Sequence, residues 1–217
     1  MKNKIIKDAL ALTLITLVAG VALGGVYEIT KDPIAKQEAQ AKAEAYEQVF
    51  TDAAAFEAVE MDDTLTKTIR DQLDQEGYKA QSIEEVMRAE DQSGETLGYA
   101  FTVVTSEGYG GDIQFSMGVQ NDGTLNGISI LSIGETAGLG MNADTPAFKD
   151  QFVGKQVEKL QYTKNGATQD DEINAISGAT VTTNAMTNGV NAGLCAFRVM
   201  EGGRSVMKAN SPLGTFV

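Results

Sequence analysis

Charge is absent from the chain between Ala9 and Val26, where Leu, Ile, Val and Ala dominate. Eighteen such residues at about 1.5 Å each make roughly 27 Å of helix, close to the hydrocarbon thickness of a bilayer. Lys2, Lys4 and Lys7 precede this run. For a membrane anchor, that arrangement puts the N-terminus in the cytoplasm and the rest of the chain outside. The competing reading is a cleaved signal peptide, kept open by Ala19, Gly20 and Ala22, although such a peptide usually has a shorter apolar core. Asp32-Pro33 then reads as the N-cap and first position of a new helix. Residues 34–49 are rich in Ala, Gln, Glu and Lys, the composition of an exposed stalk helix, and Phe50 and Phe56 point to its end docking on a folded domain. A second helix is expected over Leu65–Glu76, terminated by Gly77.

The periodicity then shortens. Ser82–Ala89, Thr96–Thr105, Ile113–Gln120 and Leu125–Ile133 read as strands. Asp91-Gln92-Ser93-Gly94 and Asn121-Asp122-Gly123 are turn signals between neighbouring strands. A short helix is expected to start at Asp144-Thr145-Pro146 and run through Phe148 and Phe152. Tyr162 falls in a further strand, with Asn165-Gly166 as a turn. From Val181 the apolar positions Ala185, Met186, Val190, Leu194 and Phe197 recur at helical spacing. The expected fold is α+β: an antiparallel sheet built from hairpins with helices packed on it. The expected organisation is a cytoplasmic N-terminus (1–8), an anchor (9–26), a stalk and helical segment (27–80), a sheet domain (81–202) and a polar tail (203–217) containing Pro212 and Gly214.

Composition removes whole classes of function. Lys plus Arg total 17 and Asp plus Glu 30, a formal net charge of −13, which repels nucleic acid and anionic lipid surfaces. Histidine is absent and Cys195 is the one cysteine. A Ser-His-Asp or Cys-His nucleophile is therefore excluded, an internal disulfide is impossible, and the usual ligands of zinc, haem and iron–sulfur clusters are missing. Redox work on this chain needs an organic cofactor. Cys195, between Leu194 and Phe197 on the last helix, reads as a packed apolar residue.

The stretch from Asn174 to Thr183 carries the sharpest candidate chemistry. Gly178 allows an unusual backbone path, and Ser177 reads as an N-cap. Thr180 then falls in the first helical turn, where free N–H groups and the positive end of the helix dipole favour a phosphate. The competing reading of Ser177-Gly178-Ala179-Thr180 is a capped helix start and nothing more. Thr182 and Thr183 could donate to the same phosphate or serve as ordinary first-turn threonines. A glycine-rich run, Gly134-Glu135-Thr136-Ala137-Gly138-Leu139-Gly140, follows the fourth strand. Gly138 and Gly140 let backbone N–H groups approach a flat ring or phosphate, and Leu139 offers an apolar surface. Thr136 can donate or accept a hydrogen bond, while Glu135 can hold the loop or bias protonation of a ligand. The alternative is an ordinary glycine turn after a strand. Tyr109, inside Gly108-Tyr109-Gly110-Gly111, is placed either to stack on a ring or to pack in a hairpin.

Together these residues resemble the FMN-binding domain family, over the N-terminal anchor and roughly residues 83–199. Its members include the G subunit of Rnf-type ferredoxin:NAD oxidoreductase complexes and the C subunit of the sodium-pumping NADH:quinone reductase. The resemblance implies FMN joined through a phosphoester to Thr180, attached once by a separate flavin transferase that uses FAD. Thr180 is then an anchor and not a catalyst. The family's Glu-Thr-Pro-Gly-Leu-Gly loop stands here as residues 135–140, with Ala137 in place of proline. The motif usually has an acidic residue six positions before the threonine, and here that position is Asn174. Asp171 and Glu172, just upstream, are the carboxylates left to serve the attaching enzyme. The implied function is an electron relay among the other membrane subunits of an ion-translocating complex, with the lipid bilayer contacted through residues 9–26. The Glu-Thr-x-Gly-Leu-Gly loop and the modest chain length favour the Rnf G subunit over the quinone-reductase C subunit. The rival readings are a membrane-anchored flavin sensor without electron throughput, and a non-redox acidic surface protein in which Ser-Gly-Ala-Thr only caps a helix.

Overall fold

The computed structural model describes residues 2–210, with side chains from 4 to 202. Pro212 and Gly214 lie outside the described residues. By internal contacts the chain divides at Ala43/Glu44. Helix α1 (Lys2–Val49) is continuous for 48 residues with Pro33 inside it, so the helix start expected at Asp32-Pro33 does not occur. Proline there forfeits one N–H bond and crowds the carbonyl four residues back, a cost of about 3 kcal/mol. The Ala-, Gln-, Glu- and Lys-rich sequence that follows is strongly helix-forming, and each residue added to an existing helix contributes a further bond. In the N-terminal unit the apolar side chains of α1, Leu10, Leu14, Ile15 and Leu17 among them, are exposed. Among the described residues α1 is the one helix long and apolar enough to cross a membrane.

The C-terminal unit is built on a five-stranded antiparallel sheet in the order β1-β2-β3-β4-β5. Its strands are β1 (Ala55–Ala58), β2 (Gln81–Glu90), β3 (Thr96–Thr105), β4 (Ile113–Gln120) and β5 (Leu125–Ile133). The last four match the expected strands to within a residue at each end. β1 has no counterpart among the expected strands, because Ala-Phe-Glu-Ala has no alternation and consists mostly of helix formers. Helix α2 (Asp63–Glu76) joins β1 to β2. Asp62 caps its start by accepting from Leu65 N–H at 2.7 Å, and Gly77 ends it in the left-handed region at φ +90°. After β5 come a 3-10 turn (Gly140–Asp144), the short helix α3 (Pro146–Lys149) and a second 3-10 turn through Phe152. Two three-residue strands, β6 (Gln161–Thr163) and β7 (Glu172–Asn174), pair in parallel. The last described element is α4 (Thr180–Asn210), so helix continues past the boundary expected at 203.

Both faces of the sheet are covered. On one, Phe101, Phe115 and Met117 meet Met186, Val190 and Leu194 of α4, with Ile69 and Leu73 of α2 alongside. On the other, Tyr46, Val49 and Phe50 from the end of α1 pack with Ala89 and Ala100, which is the docking that Phe50 and Phe56 pointed to. Tyr46 hydroxyl shares a 2.7 Å hydrogen bond with Thr102 hydroxyl and donates to Glu85 at 3.1 Å. Burial raises its pKa above the ordinary tyrosine value.

α4 approaches the sheet closely at two glycines. A Cβ on Gly189 would stand 2.8 Å from Phe115 Cε1 and 2.9 Å from Cζ, and one on Gly193 would overlap Met117 Sδ. Phe115 is fully buried and its ring cannot swing aside as a thioether can. Gly189→Ala should therefore cost about 1–3 kcal/mol through overpacking, read as a lowered Tm of the detergent-solubilised chain. On the far side of α4, Cys195 is buried and its thiol pKa is pushed from 9.0 up to about 12, first by desolvation and then by the neighbouring Glu76 carboxylate. The neutral thiol is thus inert in the folded protein. A maleimide should label Cys195 at pH 8 only after denaturation. Its contribution to stability is fully present below pH 9 and falls as the pH climbs toward 12, because the unfolded chain releases the proton first.

Candidate functional site

The sheet brings two loops to one end. Thr105, the last residue of β3, pairs with Ile113, the first of β4, and Ile113 pairs with Ile133, the last of β5. The loops 106–112 and 134–139 therefore leave the sheet side by side. The head of α4 arrives against them. Asn184 and Asn188, one turn apart on α4, both donate to Glu107 Oε2, at 3.3 Å and 2.7 Å. Glu135, nearly buried in the second loop, accepts from Tyr109 N–H of the first at 2.8 Å.

The approach to Thr180 is set by a tight turn. Ala179 N–H donates to Ile176 O at 3.0 Å across Ser177-Gly178, with Gly178 in the left-handed region at φ +76°. Helix begins at Thr180, so the flanking position falls on Ala179, and Ser177 sits exposed at the tip of the turn and does not cap the helix. Thr183 does the tying instead. Its hydroxyl accepts from Ile176 N–H at 3.0 Å and donates to Ala179 O at 2.9 Å. Thr183 is fully buried, so its hydroxyl is committed to the backbone. Thr183→Val would leave the Ile176 N–H buried without its acceptor and should cost about 1–3 kcal/mol. Thr183→Ser should recover most of that loss, as read by thermal unfolding.

Between the 134–140 loop and the head of α4 lies a cavity of about 540 Å³, within the size range of small-molecule sites. Glu135, Thr136, Leu139 and Gly140 line one side, Gly178, Ala179 and Thr180 the other, and Tyr109 also borders it. Eight of the expected site residues thus surround one cavity. Ser177, Gly138 and Thr183 do not line it. Val181 and Thr182 complete the wall. By spacing, Val181 opens the core stripe of α4, yet it is half exposed; its distance in sequence from Ala185 matches the core pattern and conceals the difference. Tyr109 is 76% exposed, which overturns the reading of a tyrosine packed in a hairpin.

The cavity joins a helix N-terminus to an apolar wall. The first N–H groups of α4 have no partner within the helix and carry its positive dipole end. Gly140 leaves room that a side chain would fill, since a Cβ there would lie 2.6 Å from both Glu135 Oε2 and Thr182 Oγ1. Leu139 packs above Gly178, where a Cβ would be 3.1 Å from Leu139 Cδ2. Upstream, Asn174 Oδ1 accepts from Ala167 N–H at 2.7 Å. The Glu172 carboxylate accepts from the N–H groups of Thr168 (2.8 Å) and Gln169 (3.2 Å), and the Thr168 bond holds its pKa below the ordinary value. Asp171 accepts from Gln161 Nε2 at 3.1 Å. These groups shape the loop that leads to Thr180.

Sequence comparison gives the class of this domain, a flavin-binding one. The FMN-binding domain model matches residues 108–194, and the RnfG N-terminal region matches residues 1–49. The G subunit of the Na(+)-translocating ferredoxin:NAD(+) oxidoreductase complex of Acetobacterium woodii is 33% identical over 196 residues, 89% of this chain and 92% of the relative. The G subunit of the proton-translocating ferredoxin:NAD(+) oxidoreductase complex of Clostridium ljungdahlii is 28% identical over 94% of this chain and 97% of its own. The C subunit of the Na(+)-translocating NADH-quinone reductase of Pasteurella multocida reaches 41% identity, but over only 33% of this chain and 31% of the relative. The chain belongs to the FMN-binding domain family, in the branch of the G subunits of ion-translocating oxidoreductase complexes.

Proposed function

We propose that this chain is the electron-transfer subunit that carries FMN in an Rnf-type ion-translocating ferredoxin:NAD oxidoreductase complex, with the flavin covalently held by a phosphoester on Thr180. The observation that carries this reading is Thr180 standing at the head of α4 on the wall of the cavity, while the nearby Thr183 hydroxyl is tied to the backbone. In the attachment step, the Thr180 oxygen bonds to the flavin-side phosphorus of FAD. The pyrophosphate bond breaks, AMP leaves, and the hydroxyl proton is released. A flavin transferase performs this once, during maturation. FMN supplies one-electron transfer. The chain's part would be to hold it: first-turn N–H groups of α4 would receive the phosphate, Leu139 would offer apolar surface, and the loops around Glu135 would limit solvent access.

Residues 9–26 anchor the chain in the membrane. Lys2, Lys4 and Lys7 keep its start in the cytoplasm, and the flavin domain faces the other side. A tethered flavin cannot be lost by dilution there. Other membrane subunits of the complex are its electron donors and acceptors. The Rnf-type assignment is preferred to the quinone-reductase C subunit because the G-subunit relatives align along nearly the whole chain, whereas the C-subunit match covers a third of it.

The natively produced protein should show the mass of the chain plus one FMN phosphoester, with the added mass on the peptide containing Thr180, and a fluorescent band after denaturing electrophoresis. Thr180→Ala should abolish both signals and leave the fold intact, as read by far-UV circular dichroism. Flavin retained on the Thr180→Ala chain would sink this assignment.

A further inference from the structure

Glu135 is held more tightly than a residue of a surface loop needs to be. It is 8% exposed, and among the described residues no ion pair joins it. Burying a carboxylate without a cation is costly unless hydrogen bonds compensate. The backbone closes on it from two loops: Gly140 is required by the Glu135 carboxylate itself, while Gly108 and Gly110 are required first by the carbonyls of Gly111 and Gly134 and also lie beside Glu135. A Cβ on Gly108 would lie 3.2 Å from Glu135 Oε1, and one on Gly140 would lie 2.6 Å from Oε2. A Cβ on Gly110 would overlap the Gly134 carbonyl oxygen and come within 3.2 Å of Glu135 Cα. The carboxylate then accepts from the amide of Tyr109 at 2.8 Å. Tyr109 is the one large side chain of the 106–112 loop, it borders the cavity, and its ring is left exposed. The bond is to the backbone of Tyr109, so the phenol ring stays free while its base is fixed.

We propose that Glu135 is a positioning residue: by holding the Tyr109 amide it keeps the Tyr109 ring at the cavity mouth, as the wall against which the ring system of a flavin anchored on Thr180 rests. The second half of this statement rests on the flavin reading above; the first does not. What matters at position 135 is an acceptor with the reach of glutamate, not its charge.

Two measurements on the full-length protein in detergent test this. The first is hydrogen exchange of the Tyr109 amide, made in the Thr180→Ala background so that it is independent of flavin. Losing a hydrogen bond to a charged acceptor should speed this exchange by roughly tenfold or more. Glu135→Ala should show that increase. Glu135→Asp, which keeps the charge but shortens the reach, should also show it. Glu135→Gln, which keeps the reach but offers a neutral and weaker acceptor, should speed exchange by less than about fivefold and clearly less than Glu135→Asp. The Asp and Gln pair decides the matter even if the alanine variant does not fold. Slow exchange in Glu135→Asp, or fast exchange in Glu135→Gln, would overturn the clamp. The second measurement is fluorescence of the native, flavin-loaded protein, since an electron-rich phenol resting on a flavin quenches it. Tyr109→Leu and Glu135→Asp should both brighten the flavin severalfold, and Glu135→Gln should leave it near the parent value. Unchanged brightness in Tyr109→Leu would remove Tyr109 from the flavin wall. A parent protein without flavin would overturn the Thr180 reading, and the exchange data would still decide the clamp.

Discussion

The close approach of α4 to the sheet governs everything at the site. A helix ordinarily keeps a side chain's distance from the strands beneath it, but Gly189 and Gly193 remove that spacer above Phe115 and Met117. The helix settles onto the centre of the sheet with Met186, Val190 and Leu194 buried around the contact. Because a helix is rigid over a few turns, seating its middle also locates its head. Thr180 is delivered to the end of the sheet where β3, β4 and β5 release or receive their loops.

Polar groups then align the loops with the helix, side chain to side chain at Glu107 and through the backbone at Glu135 and Thr183. Glu107 receives the amide groups of Asn184 and Asn188. Glu135 receives the Tyr109 amide. Thr183 bridges the two ends of the turn at Gly178. Each is a side chain spent on holding a segment in place, and each is buried or partly buried, where a hydrogen bond left unmade is costly. Thr180, Thr136 and Tyr109 remain on the cavity wall. Among the residues lining the cavity there is no lysine or arginine, and the positive end of the α4 dipole lies at its wall.

Much of the fold was legible in short windows. The strands β3, β4 and β5 follow from alternation and turn residues, and their ends agree with the expected ones because Asp91–Gly94 and Asn121–Gly123 encode hairpins locally. The end of α2 at Gly77 and the start of α3 at Pro146 follow from single residues with a fixed backbone preference. The α+β class, the apolar N-terminal helix and the place of Thr180 in the first turn of the last helix were readable in the same way. β1 and β7 were not: four and three residues carry no period, and each becomes a strand only by pairing with another segment, β1 with β2 and β7 with the equally short β6. Pro33 misled because its local preference is to start a helix, while the residues on either side favour an unbroken one.

At the site the division follows the same physics. Residue types and spacing, Ser-Gly-Ala-Thr ahead of an apolar helical stripe and a glycine loop after a strand, depend on neighbours a few positions apart, and the chain's order alone revealed them. The distinction between a threonine that is free and one that is used is different. So is the exposure of Tyr109, and so is the meeting of Glu135 with an amide 26 positions away. Each depends on which distant backbone group arrives alongside, and that is known once the sheet has paired and α4 has settled on it.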